Sequence, residues 1–231
     1  MRTLLSSLVL AAVALPAWAQ DIPTVEERSS HVPFHVWLEA PGSGGQHILM
    51  GTGIRTRTFL KVKVYAFGLY VDSAGALAEL ASQFANEELY RLERNDDFYD
   101  AVLGMKFAMT LRLVMTRNVG AERMAEAFDG ALRPRVERAA AEMNMPGGVE
   151  ALDQFRGYFN VEEMTKQSEL LFSCTPDGTF STRIKDRNEP DIESPALCWA
   201  LFDVYLGRKP ISGGGKKGII ANFPDLLGGS N

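Results

Sequence analysis

The chain has 231 residues, of which 46% are hydrophobic, and 24 basic against 29 acidic residues give it a net charge of −5 at pH 7. This length allows one domain with a sizeable core. The acidic balance argues against a protein that binds nucleic acid or an anionic membrane surface, so neither partner is expected.

The first nineteen residues have the pattern of a signal peptide. An apolar run over residues 4–15 follows the basic start Met1-Arg2, and Ala17-Trp-Ala19 provides the small residues of a cleavage site. We therefore expect residues 1–19 to be removed on export to the periplasm or the outside of the cell, and residues 20–231 to form a single domain. No stretch reaches about 18 apolar residues, so no membrane-spanning segment is expected in the mature chain.

The first half of the chain is predicted to alternate between strands and short helices. The strands predicted here are residues 34–38, 47–50, 59–70 and 107–115. The last of them alternates in a way that predicts one wetter side. Gly51-Thr-Gly53 is expected to form a turn of small residues that leads to Arg55. Asp72 is expected to cap a helix over residues 74–84, and Asp96-Asp97 to cap another that ends near Met105.

The second half is predicted to be mainly helical, with one β-hairpin. The helices predicted here are residues 118–143, 149–159 and 195–206. Pro134 should bend or divide the first of them, because proline lacks the N–H that a helix interior needs. Residues 169–175 and 179–184 flank the turn Pro176-Asp-Gly178 and predict the hairpin. Residues 212–215, which read Ser-Gly-Gly-Gly, are expected to be flexible.

This order of elements indicates an α+β fold, in which a mostly antiparallel sheet carries helices on one face. The glycine clusters at residues 42–45 and 213–215 lack the strand–turn–helix context of a dinucleotide-binding motif, so no cofactor is expected. His31, His35 and His47 do not form a ligand cluster in the sequence, and no metal site is expected either.

The two cysteines, Cys174 and Cys198, leave two interpretations open. An exported chain in an oxidising compartment can join such a pair in a disulfide. Both residues also have apolar neighbours in the sequence, which is typical of buried free thiols.

Arg55 and Tyr65 are the first candidates for a functional site. The guanidinium of Arg55 is a planar fork suited to a carboxylate, and Tyr65 can donate one further hydrogen bond, so together they would hold a carboxylate or an enolate. Ten residues of unbroken strand span roughly 33 Å, so the two can meet only if the backbone reverses around residues 56–61. The competing interpretation is an arginine at the rim of the sheet that pairs with an acidic side chain, and a tyrosine that belongs to the core.

Two parts of the chain resemble the chalcone isomerase-like superfamily. The first combines Gly51-Thr-Gly-Ile-Arg55 with Lys63-Val-Tyr-Ala-Phe-Gly-Leu-Tyr-Val71, and the second combines Ala200-Leu-Phe-Asp-Val-Tyr-Leu-Gly-Arg-Lys-Pro210 with Lys216-Lys-Gly218. The resemblance extends over roughly residues 34–227. It implies an open-faced β-sandwich, with a large antiparallel sheet, a layer of helices and a ligand cleft between them. The superfamily includes plant enzymes that close a flavanone ring and chloroplast proteins that bind fatty acids.

The resemblance also implies roles for individual residues. The family arginine falls on Arg55, which would stabilise an enolate in the enzymes and hold a carboxylate in the fatty-acid binders. Tyr65 stands where the enzymes have threonine and the binders have tyrosine. At the other positions of the enzyme site the chain has different residues, namely Arg123, Glu126, Gly130 and Val204. Each loss of a hydrogen-bond donor aimed at a developing anion costs about two to three orders of magnitude in rate, so efficient chalcone cyclisation is not expected.

Three functions follow from this reasoning. The favoured one is an exported, non-catalytic binding protein for an apolar carboxylate such as a fatty acid. In that function Arg55 pairs with the head group, Tyr65 donates to it, and Phe128, Leu201 and Tyr205 surround the ligand. The second is an isomerase or intramolecular lyase in which Arg55 stabilises an enolate and Tyr65 serves as acid or base. The third is an interaction or scaffold protein without a small ligand. The sequence gives no indication of the oligomeric state.

Overall fold

The computed structural model describes residues 22–42, 45–57, 62–160 and 162–228. The predicted signal peptide, residues 1–19, lies outside the described residues. Within the described ranges, the strands are β1 (Thr24–Glu26), β2 (Pro33–His35), β3 (Trp37–Glu39), β4 (Gln46–Arg57), β5 (Val62–Val71), β6 (Met109–Met115), β7 (Val119–Gly120), β8 (Glu163–Met164), β9 (Glu169–Cys174), β10 (Thr179–Ile184), β11 (Arg187–Asn188) and β12 (Ile192–Glu193). The helices are α1 (Ser73–Phe84), α2 (Leu89–Leu92), α3 (Asp96–Leu103), α4 (Ala121–Glu142), α5 (Val149–Gly157), α6 (Pro195–Leu206), α7 (Gly213–Gly218) and α8 (Phe223–Gly228).

One large sheet organises the molecule. Its strands follow the order β11–β10–β9–β6–β5–β4–β3, with β12 added beside β10, and every pairing is antiparallel. The sheet does not close on itself, since β3 and β11 stand at opposite ends of this order. The prediction of an α+β fold with an open antiparallel sheet is therefore confirmed.

The main core lies between this sheet and the helices. Buried sheet residues such as Phe67 and Phe172 belong to the same apolar cluster as Leu132 of α4 and Phe202 of α6. The opposite face of the sheet carries a second, smaller cluster in which Phe34 of β2 takes part. The helices thus cover one face, as predicted, and part of the N-terminal segment covers the other.

The predicted wetter side of the strand over residues 107–115 is wrong, because all seven residues of β6 are buried. Two contacts with residues distant in the sequence explain the burial of Arg112, the charged residue of this strand. Arg112 is covered by the ring of Phe34, 5.1 Å from its guanidinium carbon. Its Nε and Nη2 donate to the carboxylate of Glu169 at 3.0 and 2.5 Å, so that a charged side chain is accommodated at a buried position.

Two helix starts follow the rules of N-capping. Asp72 accepts hydrogen bonds from the backbone N–H groups of Ala74 and Gly75 at the start of α1, as predicted. Helix α3 is capped one residue earlier than predicted, by Asn95, and the acidic pair Asp96-Asp97 lies in its first turn.

Helix α4 runs without division through Pro134, contrary to one of the two expected effects of this proline. Pro134 is exposed. Water can therefore hydrate the helix backbone at this point, which lowers the cost of the missing N–H.

Gly51 and Gly53 lie inside β4, so the predicted turn of small residues is wrong. They are glycines because α7 packs closely against this strand. A Cβ atom on Gly51 would lie 2.3 Å from the carbonyl oxygen of Gly218, and one on Gly53 would lie 2.8 Å from the Cα atom of Gly215.

Residues 212–215, predicted to be flexible, instead begin α7. The hydroxyl of Ser212 caps the helix by accepting a hydrogen bond from the backbone N–H of Gly215 at 3.1 Å. The contact with β4 compensates for the low helix propensity of the glycine run, because it can form only where side chains are absent.

Helix α6 is tied to both of its neighbours. A disulfide between Cys174 and Cys198 joins it to β9, which decides the question that the sequence left open. Asp203, which is buried, accepts a hydrogen bond from Nε of Arg135 at 2.8 Å and lies 3.2 Å from Nη2 of Arg138. Both arginines belong to α4, so α6 is fixed between the sheet and the longest helix.

Candidate functional site

The β4–β5 hairpin brings Arg55 and Tyr65 face to face. The two strands are antiparallel, and these residues are direct partners in their register. An irregularity between Arg55 and Thr56 follows immediately. The backbone reversal that a shared site requires is therefore present, although residues 58–61 lie outside the described part of the chain.

Tyr65 meets a second tyrosine, Tyr205 of α6. Their hydroxyl oxygens are 3.0 Å apart, and both side chains are buried. The ring of Phe67 packs edge-on against Tyr205 with a centroid distance of 4.8 Å and fixes its position. In this pair one hydroxyl donates and the other accepts, so the accepting tyrosine keeps its own O–H for a further partner.

Burial raises the pKa of both tyrosines. For Tyr65 the hydrogen bond with Tyr205 and the charge of Arg55 oppose the effect of burial without cancelling it. The pKa of Tyr205 lies well above its usual value, again chiefly because of burial. Both phenols are therefore neutral at physiological pH and serve as hydrogen-bond donors.

Arg55 is half-buried and donates from Nη1 to the backbone carbonyl of Ile211 at 2.6 Å. None of the ion pairs among the described residues includes Arg55. A guanidinium has five N–H donors, and the bond to Ile211 uses one of them. The first half of the competing interpretation, an arginine neutralised by an acidic side chain, thus finds no support within the described ranges. Its second half agrees with the structure, since Tyr65 belongs to the main core.

A cavity of about 470 Å³ opens beside these groups. It lies between the β4–β5 hairpin, α4, α6 and the segment that leads to α7. Its charged lining consists of Arg55, Arg57, Arg123 and Glu126. Its apolar lining includes Val64, Val119, Met124, Phe128, Val204 and Ile211. Three positive charges against one negative charge make the cavity a favourable place for an anion, while the protein as a whole is acidic.

Small residues on α4 keep the cavity open. Ala127, Gly130 and Ala131 all line it, and the first two are exposed to solvent. Their spacing of three and four residues places them on one face of the helix. Longer side chains at these positions would extend into the space that a ligand could occupy.

The structure brings most of the predicted site residues together. Arg55, Tyr65, Phe128 and Tyr205 all line the cavity, and so do the four positions at which the chain departs from the enzymes, Arg123, Glu126, Gly130 and Val204. Leu201 does not line it. This residue lies one helical turn before Tyr205 and is wholly buried in the main core.

Phe128 connects the cavity to an aromatic cluster in the core. Its ring centroid lies 5.5 Å from those of Phe159 and Phe172, and 5.7 Å from that of Phe155. The inner wall of the cavity is therefore apolar and well packed, which suits the hydrocarbon part of a ligand.

Sequence reasoning missed two contributors to the site. Arg57 follows Arg55 by two residues on the same strand, and this spacing could have placed it on the same face. Ile211 acts through its backbone carbonyl, for which no side-chain pattern exists. No group of three or more potential metal ligands (His, Cys, Asp or Glu) occurs among the residues that the structure describes. None of the helices in those ranges combines the length and the apolar composition needed to cross a bilayer.

Comparison with known proteins places this geometry in context. A family model described as "Chalcone isomerase like" matches residues 45–220. Fatty-acid-binding protein 2 of Arabidopsis thaliana is 28% identical over 195 residues, and the alignment covers 82% of this chain and 48% of that protein. Fatty-acid-binding protein 1 of the same plant is 24% identical over 188 residues, which cover 79% of this chain and 66% of that protein. The chain therefore spans between about half and two thirds of the length of these relatives.

An enzyme also appears among the relatives. The chalcone–flavanone isomerase of Oryza sativa subsp. japonica is 26% identical over 197 residues, which cover 81% of this chain and 84% of the enzyme. Similarity thus extends to both kinds of protein that the sequence motifs resemble.

A solved structure confirms the architecture. The crystal structure of the Arabidopsis thaliana fatty-acid binding protein AtFAP1 aligns with a TM-score of 0.71 at 22% identity, and covers 89% of this chain and 99% of that one. The predicted open-faced sandwich and the predicted family resemblance are both confirmed.

Proposed function

The chain belongs to the chalcone isomerase-like family, and from this premise we propose that it binds an apolar carboxylate, such as a fatty acid, without transforming it. The observation that carries the proposal is Arg55, whose remaining N–H donors adjoin an apolar cavity and which pairs with no acidic side chain in the described ranges. A ligand carboxylate would supply the missing negative charge.

The tyrosine pair complements this role. A neutral phenol donates a hydrogen bond to a carboxylate, and the raised pKa of Tyr65 and Tyr205 keeps both phenols neutral. The hydrocarbon part of the ligand would pack against the wall near Phe128, where each buried CH₂ contributes about 0.8 kcal/mol. Charge at one end and hydrophobic burial at the other together favour a long-chain acid.

The lining also favours binding over catalysis. Glu126 stands where the resemblance places a lysine in the enzymes, so the chain lacks that positive charge for a chalcone phenolate. The raised pKa of the tyrosines keeps both phenols protonated near neutral pH, so neither is in the phenolate form that a general base needs.

The experiment begins with native mass spectrometry of the purified protein, which detects a co-purified ligand. The protein is then delipidated and titrated with tetradecanoic acid. Arg55→Ala removes the anchor, and Lys63→Ala is the matched control. Lys63 lies on the same hairpin and carries the same charge, but its Nζ bonds the backbone carbonyl of Ser29 and it does not line the cavity.

We expect Arg55→Ala to weaken binding about 10- to 100-fold, the usual range for the loss of a charged hydrogen-bond partner, and Lys63→Ala to leave it within about twofold. Equal affinities of the wild type and Arg55→Ala would refute the proposed anchor. Failure of the wild type to bind any fatty acid would refute the proposed function.

Similarity to the rice isomerase over most of its length gives the enzyme hypothesis a specific basis. In that case Arg55 would stabilise an enolate and Tyr65 would act as acid or base. Decay of chalcone absorbance separates the two proposals. Chalcone turnover by the wild type that is lost in Arg55→Ala would favour the isomerase. Absence of Arg55-dependent turnover would argue against an isomerase that acts on this chalcone and would favour the binding function.

Export is a further part of the proposal. Residues 1–19 have the signal-peptide pattern, and the disulfide between Cys174 and Cys198 is of the kind that persists in oxidising compartments. Intact mass of the protein recovered from the periplasmic fraction or the medium tests this. Cleavage after Ala19 is the expected result, and retention of the full chain in the cytoplasmic fraction would contradict it.

A further inference from the structure

The wall of the cavity that α4 provides contains two hydrogen-bond acceptors next to each other. Glu126 and Gly130 both line the cavity, and both residues are solvent-exposed. They lie four residues apart on one face of the helix, which corresponds to about 6 Å along its axis. Glu126 forms no ion pair with any described residue.

Gly130 contributes an acceptor because of Pro134. In an α-helix the carbonyl of residue 130 accepts from the N–H of residue 134, and proline has no N–H. Glycine has no side chain, so the surface that Gly130 presents to the cavity is its backbone. A Cβ atom added there would meet no atom within 4 Å apart from its chain neighbours and the nearby backbone of α4, so no other element covers this position.

The neighbouring carbonyl shows that the helix backbone is accessible here. The carbonyl of Ala131 receives a hydrogen bond from Nη1 of Arg135 of the same helix at 2.7 Å, so a side-chain donor can reach a carbonyl in this turn of α4. No side chain in the described ranges does the same for Gly130. A carboxylate and a backbone carbonyl are therefore neighbours on this face of α4, and no side-chain donor in the described ranges bonds either of them, so a ligand donor can replace the water there.

A simple fatty acid carries no such donor, because its ionised carboxylate only accepts and its chain is apolar. We propose that the preferred ligand is an apolar carboxylate that also bears a hydroxyl group, which donates to Glu126 or to the carbonyl of Gly130 while the carboxylate pairs with Arg55. This proposal rests on the proposed function and adds the chemical class of the ligand.

The test compares tetradecanoic acid with tetradecanoic acids hydroxylated at the second, third or terminal carbon. The measured quantity is the ratio of dissociation constants of the parent acid and each hydroxylated acid. For the wild type we expect at least one hydroxylated acid to bind about fivefold more tightly than the parent, as one additional hydrogen bond allows.

Two variants remove the acceptors separately. Pro134→Ala restores the N–H that forms the helical hydrogen bond to the carbonyl of Gly130. Because Pro134 itself does not line the cavity, the affinity for the parent acid should stay the same. Glu126→Ala removes the carboxylate, whereas glutamine would keep an acceptor oxygen. Each variant should reduce the preference for the hydroxylated acid, and the double variant should bring the ratio close to one.

The outcomes distinguish this inference from the proposed function. If the wild type binds the parent acid but none of the hydroxylated acids more tightly, or if the preference survives both substitutions, the inference is overturned and the binding function stands. If the wild type binds none of the four acids, both are overturned.

Discussion

The buried pair of Tyr65 and Tyr205 depends on a single mutual hydrogen bond. Both side chains are buried, so each hydroxyl depends on the other as its hydrogen-bond partner when no ligand is bound. The pair also joins the hairpin to α6, which are distant in the sequence. The same contact therefore has a structural role and a role at the candidate site.

Substitution of one tyrosine by phenylalanine should be more harmful than substitution of both. Tyr65→Phe leaves the Tyr205 hydroxyl buried without a partner, and we expect a loss of about 1–3 kcal/mol in the free energy of unfolding. Tyr205→Phe should have a similar effect. The double variant leaves neither hydroxyl unpaired, so it should lose clearly less than the sum of the two single variants. Urea unfolding of the four proteins measures this, and strictly additive losses would contradict the interpretation.

His47 makes the stability of the fold depend on pH. It is buried, and its Nδ1 lies 2.9 Å from the hydroxyl of Thr110. Burial lowers the pKa of His47 below its usual 6.5, and the charge of Asp72 opposes this only in part. The unfolded chain then binds a proton more readily than the folded one, so the free energy of unfolding is highest above pH 6.5 and falls as the pH decreases below it.

Urea unfolding at pH 7.5 and pH 5.5 tests this expectation. The wild type should be less stable at the lower pH, and His47→Gln should lose much of that difference, whatever its stability at pH 7.5. The other two histidines, His31 and His35, are exposed and serve as controls through His31→Gln and His35→Gln. An unchanged pH dependence in His47→Gln would contradict the assignment.

At the level of secondary structure, the contact between α7 and β4 positions the arginine of the site. Helix α7 lies against Gly51 and Gly53, a few residues before Arg55 on the same strand. The segment that precedes α7 provides the carbonyl of Ile211 that Arg55 binds. Close packing at the two glycines therefore determines where the guanidinium is held.

Gly51→Ala should weaken this contact. The added methyl group would lie 2.3 Å from a backbone oxygen of Gly218, which cannot move aside as a side chain could. We expect a loss of about 1–3 kcal/mol in the free energy of unfolding, together with weaker binding of the fatty acid. Gly45→Ala is the matched control, since a Cβ atom there meets nothing within 4 Å. Equal stabilities of the two variants would contradict this account.

The comparison of predicted and observed elements shows which signals are local. The hairpin β9–β10 and the helices α1 and α6 follow from turn residues, caps and periodicity, all of which lie within the element itself. The burial of β6 and the helical state of residues 212–215 could not be predicted in this way. They depend on Phe34 and on β4, which are far away in the sequence.

At the level of the whole molecule, the disulfide between Cys174 and Cys198 should be a major source of stability. It closes a loop with a sequence separation of 24, for which the chain-entropy relation gives about 3.5 kcal/mol. Reduction should lower the urea midpoint accordingly. The double variant Cys174→Ala/Cys198→Ala should be less stable than the oxidised wild type and insensitive to reductant. A wild type equally stable with and without reductant would contradict this expectation.

The site as a whole could be predicted only in part. The type of residue at Arg55 and Tyr65 indicated carboxylate chemistry, and the family resemblance indicated the cleft. The register that makes them partners was not predictable, because no glycine or proline in residues 56–61 of the sequence indicates a reversal. The position of Leu201 was not predictable either, since Leu201 and Val204 are both buried on α6 and only Val204 faces the cavity.

The hydrogen bond between Arg55 and the carbonyl of Ile211 has a consequence for the thermodynamics of recognition. An arginine side chain without a protein partner loses rotamer entropy when it binds a ligand, at a cost of about 0.5–1.5 kcal/mol. Here Nη1 of the guanidinium already donates to the backbone of Ile211 before a ligand binds. Part of the side-chain entropy of Arg55 is therefore lost during folding. Calorimetry of carboxylate binding should show a smaller unfavourable entropy than an unrestrained arginine would give.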